Sequence, residues 1–266
     1  MTTPTRMPAI FFGHGSPLIA LETNATSDLW AGMAAAMPRP KAILAISAHW
    51  ETHGTAVTAM ARPRTIHDFG ASFPKALFDM NYPAPGDPSL ARRVAALLSP
   101  MPVAMDERWG LDHGVWTVLC KAFPGADVPV VQLSLDVDLE PAQYFEIGRK
   151  LAPLRDEGVL IMGSGNIVHN LGVMDRNARA GPGFDWARRF MDEMRGAIEA
   201  DQAGRVVDFA ALGRDAALST PTPEHFWPLL YVLGAREPGD RARIVNDHIE
   251  FGSLAMASVV LESASG

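Results

Sequence analysis

The sequence predicts an α/β fold, a single domain with a central mixed β-sheet flanked by helices. Two observations lead there. Four short apolar runs, Ala9–Phe12, Ala42–Ser47, Val130–Leu133 and Val159–Met162, read as buried strands. Between and after them lie longer segments with helical spacing, and such strand–helix alternation is the pattern of a sheet covered by helices.

Taken in order, the first strand leads into a helix over Ser27–Met37, and the second is followed by helices over Ser89–Leu98 and Gly114–Phe123. The third strand precedes a helix over Pro141–Leu151, and the fourth precedes helices over Trp186–Ala200 and Pro223–Leu233. Pro88, Pro141 and Pro223 fall in first turns, where the missing N–H has no intrahelical partner to lose. Arg243–Val245 and Leu254–Leu261 are expected as closing strands, separated by the turn-prone NDHIEFGS. The proline-rich stretches DMNYPAPGDP and STPTP are too short to be linkers and read as surface loops. With no internal repeat or change of composition, residues 1–266 are expected to form one domain.

Composition narrows the function. At 48% apolar and 20% charged residues, the chain is an ordinary globular protein, long enough to enclose a deep pocket. A net charge of −7, with no lysine–arginine run, argues against a nucleic-acid partner. The pairs Arg92–Arg93 and Arg188–Arg189 read as solvated helix faces. No apolar stretch nears the roughly 20 residues that span a bilayer, so no membrane role is expected. The apolar run before Gly13 in MTTPTRMPAIFFGHGSP is only four residues, too short for a signal peptide's apolar core, and the cytoplasm is the expected compartment. Cys120 is the only cysteine, which excludes an internal disulfide and a four-cysteine zinc site. Its surroundings, VWTVLCKAF, read as inert core.

The histidines carry the chemistry. His14 follows the first strand, His49 the second, and His169 comes shortly after the fourth. Ligands of open α/β sheets gather at the carboxyl ends of strands, so these three are candidates to converge. Gly13 and Gly15 flank His14, and Gly163 and Gly165 precede His169, as expected where the backbone turns sharply or is closely approached. His225 stands beside Glu224 at an expected helix start, where successive residues do not share a face, so only one of the two should point into a given site. His113 precedes a helix and could hydrogen-bond a ligand without binding metal. His67 could line a pocket, oriented by Asp68, whereas His53 and His248 read as exposed. A GxSxG elbow, a phosphate loop and an HExxH helix are absent. Ser16 and Ser164 have no base at a fixed spacing and are not read as nucleophiles.

Seven motifs then fall in one order: GHGSP at 13–17, ISAHW at 46–50, TIHDF at 65–69, LDHGVW at 111–116, PVVQLSLD at 129–136, GSGNIVHNL at 163–171 and PEHFWPLL at 223–230. Together with EFGSLAMAS at 250–258 they resemble the class III extradiol ring-cleavage dioxygenases (the LigB-like family), in particular their 4,5-DOPA dioxygenase branch. The resemblance covers nearly the whole chain. It implies metal ligands at His14, His49 and His225, with Glu224 as the alternative third ligand, because protocatechuate-cleaving relatives use a glutamate there. It implies an acid–base role for His169, with metal contact as a further option, and a pocket histidine at His113 that holds substrate or oxygen. His67 and Ser16 are placed in the substrate pocket.

The implied reaction is opening of a small aromatic diol by O₂ to a semialdehyde. Ferrous iron suits it, since a three-ligand face with open positions admits both reactants. Zinc has no redox chemistry but can occupy the same nitrogens. Two rivals remain at this point: a zinc-dependent hydrolase on the same histidines, and a non-catalytic metal-binding or signalling relative. The substrate, the native metal and homo-oligomerisation are left open by the sequence.

Overall fold

The structure is a computed structural model that describes residues 6–178 and 180–263. Residues 1–5, part of the stretch examined above for a signal peptide, lie outside it. Eight strands form one mixed sheet: β1 (Ala9–Gly13), β2 (Ala42–Thr52), β3 (Thr55–Thr58), β4 (Val103–Asp106), β5 (Val130–Asp136), β6 (Val159–Gly165), β7 (Asp240–Val245) and β10 (Ser258–Ser263). Their order across the sheet is β4-β3-β5-β2-β6-β1-β10-β7. The middle four, β5, β2, β6 and β1, are mutually parallel, and β10 and β7 close one side antiparallel. Two short strands, β8 (Ile249–Glu250) and β9 (Leu254–Ala255), pair separately.

Because alternate side chains of a strand face opposite ways, the central strands are covered on both sides. Phe11, Leu44, Ile46, Leu133 and Ile161 face a core completed by helices α2 (Pro88–Leu98), α4 (Pro141–Leu151), α5 (Asp185–Glu199) and α6 (Trp227–Gly234). Ile10, Phe12, Ile43, Ala45, Val130 and Met162 face the other core, against α1 (Ala25–Ala36) and α3 (His113–Ala122). The expected mixed sheet between helices is present. At the parallel centre all four carboxyl ends open on the same side, and the histidines collect there.

Several expected boundaries move. β2 does not end at Ser47. It runs to Thr52, but its register with β5 shifts between Ile46 and Glu51. A bulge of this kind re-aims the side chains it carries, and His49 lies inside it. The expected Leu254–Leu261 strand divides, because Met256 and Ala257 leave the ladder to cross directly over Gly13. A Cβ on Gly13 would lie 2.4 Å from Ala257 O, so only glycine admits this crossing. Pro223 is not in a first turn: the helix begins at Trp227, and the proline near its start is Pro228. β3 and β4 were not expected from the sequence.

Candidate metal centre

His14 follows directly on β1, and its backbone N–H donates to Gly165 O at 3.0 Å, which ties it to the end of β6. His49 reaches the same point from the β2 bulge, and the two Nε2 atoms stand 3.1 Å apart. His225 arrives on the turn before α6. A Cβ on Gly165 would lie 2.1 Å from His225 O, so the bare glycine lets that turn sit on the strand end. Ligand atoms of His14, His49 and His225 lie within 4.8 Å of one another. The glycines flanking these residues serve close approach: none of Gly13, Gly15, Gly163 and Gly165 is at positive φ.

Hydrogen bonds behind two of the rings, His14 and His225, define their tautomers. Ser164 Oγ donates to Gly114 O at 2.5 Å, so its lone pair accepts from His14 Nδ1 at 2.9 Å. His14 Nε2 is then left without a proton. His225 Nδ1 donates to Glu224 Oε1 at 2.9 Å, which again frees Nε2. Burial first, and then the surrounding histidines, keep His14 and His49 far below the usual imidazole pKa, hence neutral. His14 and His225 are 3% and 8% exposed. The bare His14 Nε2 faces His49 Nε2 at 3.1 Å, and two ligands at right angles on one ion, at roughly 2.1 Å each, would be separated by about 3.0 Å. The donor set therefore fits a divalent metal, with its outer hydrogen bonds already in place.

Glu224 hydrogen-bonds the back of the His225 ring, and its carboxylate also lies with His169 and His225 in a second group that could hold an ion. The expectation that only one of Glu224 and His225 could address a site assumed a helix there; outside the helix, the carboxylate turns back onto the imidazole. The Glu224 carboxyl sits at about 2, for although burial pulls it upward, the hydrogen bonds it accepts, from His225 first and then from its own backbone and Thr222, outweigh that.

Two further histidines border the triad. His113 opens α3 and stands 3.9 Å, centroid to centroid, from His49. His169 lies parallel to His225 at 3.5 Å and 8°. Burial, then His225, hold His169 down to about 3, with Glu224 pulling the other way. Asp68 does not orient His67. Its Oδ2 accepts from His113 Nδ1 at 2.9 Å, while His67 Nε2 lies 3.0 Å from Met80 O. His67 instead joins an aromatic group with Phe69, Phe78 and Trp116, and Phe69 packs edge-on to His113. Ser16 Oγ caps a short 3₁₀ turn by accepting from Leu18 N at 3.4 Å. His53 is exposed and pairs with Asp138, whereas His248, expected exposed, is half-buried near Glu250. Burial pushes the Cys120 thiol up to about 11, which makes it unreactive.

Sequence reasoning gave Asp68 the wrong histidine and missed Asp112 and Ser164 as parts of this site. Asp112 caps α3, accepts from Ser47 Oγ at 2.7 Å and is bonded by Gln132, behind His49 and His113. Only the spacing of LDHGVW, with an acid one residue before a helical histidine, hinted at that cap.

Strand ends that bring three histidines within reach of one ion fit an α/β enzyme of the metal-dependent kind. Comparisons with known proteins specify which kind. Residues 9–262 match the family described as the catalytic LigB subunit of aromatic ring-opening dioxygenase. The 4,5-DOPA dioxygenase extradiol of Escherichia coli K12 is 49% identical, over 96% of this chain and 94% of that protein. The protein of the same description from Beta vulgaris is 35% identical, over 93% of this chain and 94% of its own length. The crystal structure of an uncharacterized Escherichia coli K12 protein superposes with a TM-score of 0.83 at 44% identity, covering 96% of this chain and 99% of that one. The chain belongs to the LigB family of aromatic ring-opening dioxygenases. It is an enzyme of that class, and the class is metal-dependent. Among the described residues, no helix is long and apolar enough to cross a membrane.

Proposed function

We propose that the chain is one catalytic domain that opens a catechol-type ring with O₂ by extradiol cleavage, giving a semialdehyde, and that iron(II) is its working metal. The observation that carries this reading is the convergence of His14 and His49, whose Nε2 atoms stand 3.1 Å apart, with His225 in the same cluster. His14, His49 and His225 would hold the ion. When bound, iron(II) on such a three-nitrogen face offers open positions for both reactants and the redox chemistry that zinc lacks.

The protein's own residues do the rest. Ser164 and Glu224 keep Nδ1 protons on His14 and His225, so their lone pairs stay directed at one point. The aromatic group of His67, Phe69, Phe78 and Trp116 beside His113 suits an aromatic substrate. His169 is the acid–base residue. Burial and the stacked His225 keep it neutral, the form that accepts a catechol proton and returns it as the ring opens. The similarity to 4,5-DOPA dioxygenases favours a DOPA-like catechol.

The test is anaerobic loading with iron(II), then a panel of catechols with oxygen uptake and semialdehyde absorbance recorded together. One O₂ consumed per ring opened is expected, with no turnover in the zinc form. Turnover by the zinc form without oxygen would make the protein a hydrolase and end this reading.

A further inference from the structure

Asp68 lies on a strap fastened beside the site. Ile66 N donates to Leu111 O at 2.8 Å, Leu111 N to Arg64 O at 2.8 Å, and Trp116 Nε1 to Ile66 O at 2.8 Å. These bonds zip the strap onto the chain entering α3. The carboxylate then grips one residue twice: Oδ1 accepts from the His113 backbone N–H at 2.8 Å, and Oδ2 accepts from its Nδ1 at 2.9 Å. The His49 Nδ1 is 3.7 Å from Oδ2, beyond hydrogen-bond reach. Asp68 and His113 side chains are 18% and 9% exposed, so water competes little for either bond. Asp68 is thus a half-buried carboxylate committed by two hydrogen bonds to a histidine outside the proposed metal triad.

We propose that Asp68 is a positioning residue for ring opening: by accepting a hydrogen bond from Nδ1–H it fixes His113 in the tautomer whose Nε2 is a bare acceptor available to a substrate hydroxyl. The substrate part of this claim rests on the ring-opening reading above, whereas the tautomer belongs to the chain itself. An isosteric change separates positioning from mere scaffolding. In Asp68→Asn one oxygen becomes an NH₂ donor. The His113 backbone N–H still requires the remaining oxygen, so the NH₂ faces Nδ1 and drives the ring proton to Nε2. The shape is kept while the tautomer reverses.

The experiment uses the full chain loaded with zinc and labelled with ¹⁵N-histidine. The His113 signals are identified by their loss in His113→Gln. Long-range ¹H–¹⁵N spectra should show Nδ1–H in the wild type and Nε2–H in Asp68→Asn, with zinc content unchanged. In the iron form, Asp68→Asn should lower kcat about 10- to 100-fold with a smaller change in KM. Wild-type His113 protonated at Nε2 would overturn the proposal, as would an Asp68→Asn enzyme with unaltered kcat. Loss of zinc in Asp68→Asn would overturn it too, making Asp68 a support of the metal ligands. A wild-type iron form that opens no catechol would refute the ring-opening reading, while the spectra still judge the positioning by themselves.

Discussion

The two histidines that border the triad are held in opposite ways. His113 is anchored by hydrogen bonds, with its backbone and ring both on Asp68 and the Asp112 cap beneath it. His169 is anchored through its backbone N–H to Ser219 O at 2.8 Å, and its ring is stacked on His225 without a hydrogen bond to any described residue. A ring with a committed Nδ1 has one tautomer and one free nitrogen. A ring held by stacking keeps both nitrogens free to exchange protons. The contrast suits the proposed roles, fixed orientation for His113 and proton traffic for His169, and it can be broken from either side.

The largest effect should come from the triad that both residues border. His225→Ala should lose metal and ring opening together, with affinity reduced by more than the about 10- to 100-fold typical of removing a ligand's supporting partner. Metal analysis after dialysis reads it directly. Next, His169→Ala should keep its metal yet lose about 10²- to 10⁴-fold in kcat. Near-normal turnover in that variant would remove His169 from the proton path and leave His113 as the working group.

Gly165→Ala tests the scaffold rather than the chemistry. The added methyl would meet His225 O at 2.1 Å, so a loss of about 1–3 kcal/mol in stability and looser metal retention are expected from denaturant unfolding.

The smallest effect concerns pH. His169 is depressed from 6.5 to about 3, and His14 and His49 are lowered as well. Between those values the unfolded chain binds protons that the folded chain refuses, so these groups favour the fold above 6.5 and lose that contribution as pH falls toward 3. Asp112 acts in the opposite sense. Raised from 3.8 to about 6, chiefly by burial and then by Asp68, it favours the fold more at the acid end of that window. With three histidines against one carboxylate, metal-free protein should show a Tm that declines on acidification below 6.5. A flat or rising Tm would mean that these imidazoles are charged in the fold.

Much of this was legible in the sequence, because His14 and His169 follow uninterrupted apolar runs and strand ends collect ligands. The glycines marked the places of closest approach, although the mechanism is contact with Ala257 and His225 carbonyls and not unusual φ. Other features had no local signal. β3 and β4 are four residues each, and Val103–Asp106 offers only three successive apolar residues on a partly exposed edge strand. Asp68 was paired with its neighbour His67 by adjacency, whereas the strap carries it to His113, 45 residues away. The Glu224–His225 bond was hidden by assuming a helix from Pro223. That helix begins only at Trp227, so the geometry that forbids adjacent residues from cooperating did not apply.

All of these assignments depend on where a divalent ion sits. A crystal soaked with Zn(II) and measured at the metal's absorption edge locates it directly. One anomalous peak is expected, about 2.0–2.2 Å from the Nε2 atoms of His14, His49 and His225. A peak lodged between His49, Asp68 and His113 instead, or none near His14, would contradict the account.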